Sequence, residues 1–159
     1  MKRLLFSSAA AVIVILALSA CAYRFADPFP ARNYDLVSVT NSTAEPGLSR
    51  VLEEELRLTG GFTPGSGSRL YVTATRFTEQ VETVSSAGTP VRQRLALEIA
   101  WKVEGEGHRS EAVFGNEGVR EIYPYSADPA SLDWNRKATV KLLAKKAADR
   151  VIRRLEGAP

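Results

Sequence analysis

One cysteine, one histidine and one methionine are all that the 159 residues contain of those types. A lone cysteine excludes an internal disulfide framework, and with a lone histidine it leaves too few ligands for the usual zinc shells. No G-x-S-x-G, S-x-x-K, H-E-x-x-H or Walker pattern occurs, so the common hydrolase, metalloprotease and nucleotide-binding signatures are absent. The chain is therefore expected to be no enzyme and to need no cofactor or metal. Apolar residues make up 45% and charged residues 25%, which excludes disordered and collagenous classes and suits one compact domain.

Long apolar runs are also scarce, and the one that exists is at the start. Lys2 and Arg3 form a positive head, and residues 4–18 are uncharged. That run is shorter than the ~20 apolar residues of a membrane span but suits the h-region of a signal peptide. Leu18-Ser19-Ala20-Cys21 follows directly and resembles the bacterial lipobox. There the cysteine sulfur receives a diacylglyceryl group, the preceding peptide is removed and the new N-terminus is acylated. Small residues are required before the cysteine, and Ser19 and Ala20 supply them. An ordinary secretory signal or an uncleaved anchor is the alternative, at the cost of an unpaired cysteine in an exported protein.

Cys21 is thus read as the lipidation site, with several acyl chains making a durable membrane anchor. Ala22, where Asp marks many inner-membrane lipoproteins, points by the same resemblance to the outer membrane and its periplasmic leaflet. The expected organisation is a cleaved signal over 1–20, a lipidated tether over 21–33 and a single domain over 34–156. Loss of Lys2 and Arg3 reduces 21 bases to 19 against 18 acids, a net of +1, so much of the basic character belongs to the precursor.

Residues 34–40, YDLVSVT, are β-branched and alternating enough for a first strand. NSTAEPG is turn chemistry, and Leu48, Val51, Leu52 and Leu56 recur at helical spacing, predicting a helix over 46–58 with Pro46 in its first turn. TGGFTPGSGS ends it; GSGS lacks the Lys-Ser/Thr of a phosphate loop and reads as a plain connection. Residues 69–84 predict a second strand whose alternation changes phase at Phe77, the mark of a bulge near Arg76. SSAGTP is the hairpin turn.

Val91, Leu95, Leu97, Ile99, Trp101 and Val103 then alternate, with Gln93 breaking the row, against a wet face of Arg92, Arg94, Glu98 and Lys102. A fourth strand is expected over about 109–123, interrupted near Gly115 and Gly118. Asp128-Pro129 is an N-cap with a first-turn proline. Val140, Leu143, Ala144, Ala147, Val151 and Leu155 make the stripe of a long amphipathic helix over 132–155. The order is β-α-β-β-β-α. It predicts an α+β fold with two helices on one face of a four-stranded, mostly antiparallel (mixed) sheet.

His108 in a glycine-rich turn reads as solvated, and Glu53-Glu54-Glu55 as an exposed helix face near a favourable dipole end. The last helix carries eight bases against three acids over 133–156. Cations suit a helix C-terminus, and export argues against nucleic acid as a partner. Arg92, Arg94 and Lys102 are the candidate ligand contacts: their stems can lie on a rigid sheet while their heads reach anionic groups. An ordinary solvated sheet face accounts for them equally well.

Cys21-Ala22-Tyr23-Arg24-Phe25, then Val39-Thr40-Asn41-Ser42-Thr43, then Pro46-Gly47-Leu48 with Leu52 and Leu56, make the chain resemble the LPS-assembly lipoprotein family LptE. Ala22 departs from the glycine frequent there. The resemblance implies a plug inside the outer-membrane barrel LptD that helps the barrel assemble, binds lipopolysaccharide and catalyses no covalent step. Its partners would be an LptD-type barrel, lipopolysaccharide and the membrane, reached through the lipid anchor. The alternative is an outer-membrane lipoprotein adaptor of another envelope complex, without lipopolysaccharide binding.

Overall fold

The computed structural model describes residue 31, residues 33–105 and residues 112–157. The elements run β1 (Tyr34–Asn41), α1 (Leu48–Gly60), β2 (Ser68–Val84), β3 (Pro90–Gly105), β4 (Val113–Pro124) and α2 (Pro129–Glu156). The four strands stand in chain order in one sheet. β1 pairs with β2 in parallel, and the other two pairings are antiparallel. This is the α+β arrangement expected. The expected signal peptide and all of the tether but residues 31 and 33, with Cys21, Ala22, Tyr23 and Phe25, lie outside the described residues, as does His108.

Both helices cover one face. α1 lies over β1 and β2, α2 over β3 and β4, and the two helices pack on each other. Leu48, Leu52 and Leu56 of α1 are fully buried at four-residue spacing, as are Leu143, Ala144, Ala147, Ala148 and Val151 of α2. They meet Leu70, Val72 and Ala74 of β2 and the alternate Leu95, Leu97, Ile99, Trp101 and Val103 of β3 in one core cluster. Each buried leucine contributes roughly 1.5–3 kcal/mol. The Tyr34 hydroxyl donates to the Leu155 carbonyl at 3.4 Å, tying the start of β1 to the end of α2.

Several boundaries differ from expectation for local reasons. Pro46 stands outside α1, because Gly47 takes the N-cap position in the left-handed region at φ 73° and no side chain caps the helix. α2 begins three residues before Leu132, since the Asp128 carboxylate accepts the Ser131 N–H at 3.0 Å and opens the helix at Pro129. β4 continues through both glycines. The space above Gly115 belongs to the Trp101 indole: a Cβ there would stand 2.3 Å from the ring. The bulge falls where the phase change placed it, between Ala74 and Arg76, and it returns Phe77 to the helix side.

Val91, expected in the core row, is 43% exposed. The β2–β3 hairpin runs past the helices that cover the rest of the sheet, so Val81 and Val84 are exposed there as well. Its turn is closed by Ser85 N–H to the Thr89 carbonyl at 2.8 Å, with Gly88 at φ 78°. Both sheet edges are guarded from the helix side: Arg57 donates to the Leu36 carbonyl at the β1 bulge, and Arg150 donates to the Gly118 carbonyl on β4.

Candidate functional site

The face of the sheet turned away from the helices is organised in rows across the strands. Ser38, Tyr71, Lys102 and Phe114 are successive cross-strand partners, and Thr40, Thr73, Ala100 and Asn116 form the next row. Arg76, Glu98 and Gly118 follow. Alternation along β3 forces this grouping, because the odd-numbered residues from Leu95 to Val103 are committed to the core.

Arg92, Arg94 and Lys102 all belong to this open face, but they do not converge. Arg94 and Lys102 are eight residues apart on one strand, about 26 Å. Two of the three already have partners: Arg94 pairs with Glu82, and Lys102 pairs with Glu104. Arg76 likewise faces Glu98 at 3.7 Å. Arg92 has no ion-pair partner among the described residues, and neither do Arg69 and Arg120 of the same face; Arg92 stands at the hairpin end opposite Thr83 and Pro124. Acids therefore neutralise Arg76, Arg94 and Lys102 but leave Arg69, Arg92 and Arg120 of this face without an ion pair among the described residues.

Around Ala100 the face is hollow. Ser38, Tyr71, Thr73, Lys102, Glu104 and Phe114 surround a groove of about 460 Å³. Lys102 Nζ lies 5.6 Å from the Phe114 ring centroid. The Glu104 carboxyl is held below its usual range, first by the hydrogen bond from Lys102 and also by that from Tyr71. Thr73 and Thr40 share a hydroxyl hydrogen bond of 2.8 Å at one side. Stacking surfaces, hydroxyls and one balanced ion pair can hold a ligand; no nucleophile and base stand together in the groove.

A second polar cluster sits on the helix side, where α2 meets the root of the hairpin. The Arg136 guanidinium donates from Nη1 to Glu45 at 3.0 Å and from Nε to Glu79 at 2.9 Å, and it lies 5.9 Å from the Phe77 ring centroid. The hydrogen bonds it donates to Glu45, and then to Glu79, raise its pKa further above an already high value. Tyr123 places its hydroxyl against both Glu79 and Gln93. One hydroxyl carries one proton, so it donates to one of these two oxygens at a time, and the charged Glu79 carboxylate is the stronger acceptor. Burial first, and the Glu79 contact second, push the phenol well above its ordinary value. Its one signal in the sequence was Gln93 on the core face of β3, read only as a break in a hydrophobic row.

The basic stripe of α2 is largely occupied. Lys146 pairs with Glu121, Arg154 meets Glu117 at 2.8 Å, and Lys137 meets Asp133 at 2.6 Å. Glu55, from the acidic run of α1, is buried and faces Lys141 at 3.8 Å, while Glu53 pairs with Arg57 at 2.9 Å. Asn41 builds its own turn, accepting from the Thr43 N–H at 2.9 Å and donating to the Glu45 carbonyl at 2.7 Å. Among the described residues no three His, Cys, Asp or Glu side chains gather as a metal site, and no helix is long and apolar enough to cross a membrane.

No protein-family model matches the chain, and no curated protein matches it in sequence. Solved structures do. A candidate lipoprotein from Caulobacter crescentus CB15 superposes with a TM-score of 0.60 at 17% identity, over 80% of this chain and 90% of that one. The chain has a fold found in bacterial lipoproteins. Rare lipoprotein B from Shewanella oneidensis follows with a TM-score of 0.57 at 18% identity, over 76% and 92% of the two chains. Lipoprotein B from Nitrosomonas europaea gives 0.51 at 13% identity, over 79% and 86%. At these identities the likeness concerns the fold alone.

Proposed function

We propose that this protein is an outer-membrane lipoprotein, anchored through Cys21, that plugs and helps assemble an LptD-type β-barrel in lipopolysaccharide transport. The observation that carries the reading is the fold shared with rare lipoprotein B, in a chain whose first residues resemble a signal segment ending in a lipobox. The architecture suits the role. One sheet face is sealed by helices, and the other presents hydroxyls and charges, as contact with the polar interior of a large barrel requires.

In this reading the protein contacts lipopolysaccharide through open-face cations, of which Arg92, Arg69 and Arg120 are not already engaged in an ion pair among the described residues. Depletion of the protein in its own cell tests the assembly role. The account expects the folded barrel to fall with it and lipopolysaccharide to accumulate short of the outer leaflet; unchanged barrel levels would count against it.

The pairing of Arg94 with Glu82 and of Lys102 with Glu104 favours a second reading, an outer-membrane adaptor of another envelope complex with no lipopolysaccharide affinity. Titration with purified lipopolysaccharide separates the two.

A further inference from the structure

Phe114 is 69% exposed on an edge strand, on the side of the sheet that has no core to join. Its cross-strand neighbour is Lys102, whose other neighbour is Tyr71, so two aromatic side chains flank one ammonium group on a rigid sheet. Beside this row the side chain at Ala100 stops at Cβ, and the groove of about 460 Å³ opens there. That volume lies within the roughly 300–1,000 Å³ of small-ligand sites.

We infer that this groove is a glycan-binding site, in which a pyranose ring lies over Ala100 against the faces of Tyr71 and Phe114. The C–H face of a sugar ring is apolar and suits an aromatic wall, while its rim carries hydroxyls that both donate and accept. The groove supplies both functions: Lys102 only donates, Glu104 only accepts, and Ser38, Thr73 and Tyr71 do either. The groove's own lining offers a bare anion no net charge, because Glu104 neutralises Lys102, and Arg69 stands across from Glu104 outside that lining. The inference goes beyond the barrel partnership and does not need it. The two glycan sources of an envelope, lipopolysaccharide core and the peptidoglycan strand, share this chemistry.

The test uses the full lipidated protein in a zwitterionic detergent, since alkyl glycosides would occupy the groove. Deacylated core oligosaccharide, a peptidoglycan-derived saccharide and inorganic phosphate are titrated calorimetrically in parallel. Saturable binding of either glycan is expected. Phe114→Ala should weaken it by about tenfold, and Ala100→Leu, which fills the hollow, should abolish it while the thermal midpoint stays unchanged. Which glycan binds identifies the source. Absence of binding by both glycans, binding undiminished in Ala100→Leu, or binding of phosphate alone would each overturn the inference. Co-purification of the parent chain with a barrel is read separately, so failure of the barrel reading and failure of the glycan inference are told apart.

Discussion

Arg136 of α2 meets Glu79 of β2 at 2.9 Å, and the same guanidinium grips Glu45 just ahead of α1. One side chain thereby joins the second helix, the approach to the first helix and the root of the long hairpin. Its side chain is 29% exposed, and that of Glu45 is 10% exposed, so water screens the contact only in part. Arg136→Met should lower stability by about 2 kcal/mol, chiefly by leaving Glu45 and Glu79 without their donor. Chemical denaturation measures it. In a double-mutant cycle with Glu45→Met the losses should be less than additive, because both changes remove the same bonds.

Gly115 lends its missing side chain to Trp101. With a Cβ there 2.3 Å from the indole, Gly115→Val must displace a ring that belongs to the core, at a cost of about 1–3 kcal/mol. Trp134 is 70% exposed, so a Trp134→Phe background isolates the fluorescence of Trp101. Its emission should shift to the red in Gly115→Val. Adding Trp101→Leu should recover part of the lost stability, which a cost unrelated to the indole contact would not allow; strand propensity itself favours valine over glycine.

Asp128 sets the acid limit of α2. The Ser131 hydroxyl, then the Ser131 and Ala130 N–H groups, hold its carboxyl below the usual range. A carboxyl depressed on folding stabilises the native state above its unfolded value, about 3.9. That stabilisation is lost as pH falls through the folded value below it, and Glu104 acts in the same direction. Asp128→Asn keeps a capping oxygen but cannot titrate. Its thermal midpoint should match the parent near neutrality and fall less steeply below pH 4, whereas Asp128→Ala should lose stability at neutral pH as well.

The lipid anchor is tested apart from the fold. Cys21→Ser should abolish palmitate labelling and leave the precursor uncleaved. Ala22→Asp should retain the label but move the protein to the inner-membrane fraction, as the sorting reading of that position requires. Labelled protein in the outer membrane for both variants would contradict the anchor.

The fold was legible wherever one period dominated. The row from Leu95 to Val103 and the stripe from Val140 to Leu155 each name their burial partner by spacing alone, and the phase change at Phe77 located a bulge. What escaped were relationships between distant residues. Nothing local to Gly115 shows that Trp101 will fill its place, and nothing local to Pro46 shows that Gly47 will turn left-handed and start the helix after it.

The candidate site was legible by face but not by grouping. Strand alternation put Arg92, Arg94 and Lys102 on the open side. Their partners Glu82 and Glu104 enter from a neighbouring strand and from two residues along the same strand, and only the folded register reveals that they neutralise two of the three cations. The groove over Ala100 needs four strands in register, so Phe114 and Tyr71 could not be joined from spacing.

The central claim is a protein seated with a large outer-membrane barrel. Affinity purification of the tagged, lipidated protein from detergent-extracted outer membranes, with the mass of the complex read by light scattering, tests it most directly. The account predicts one copy of this chain with one copy of an LptD-type barrel, stable through size exclusion. Recovery of the protein alone, or with envelope components that include no barrel, would contradict it.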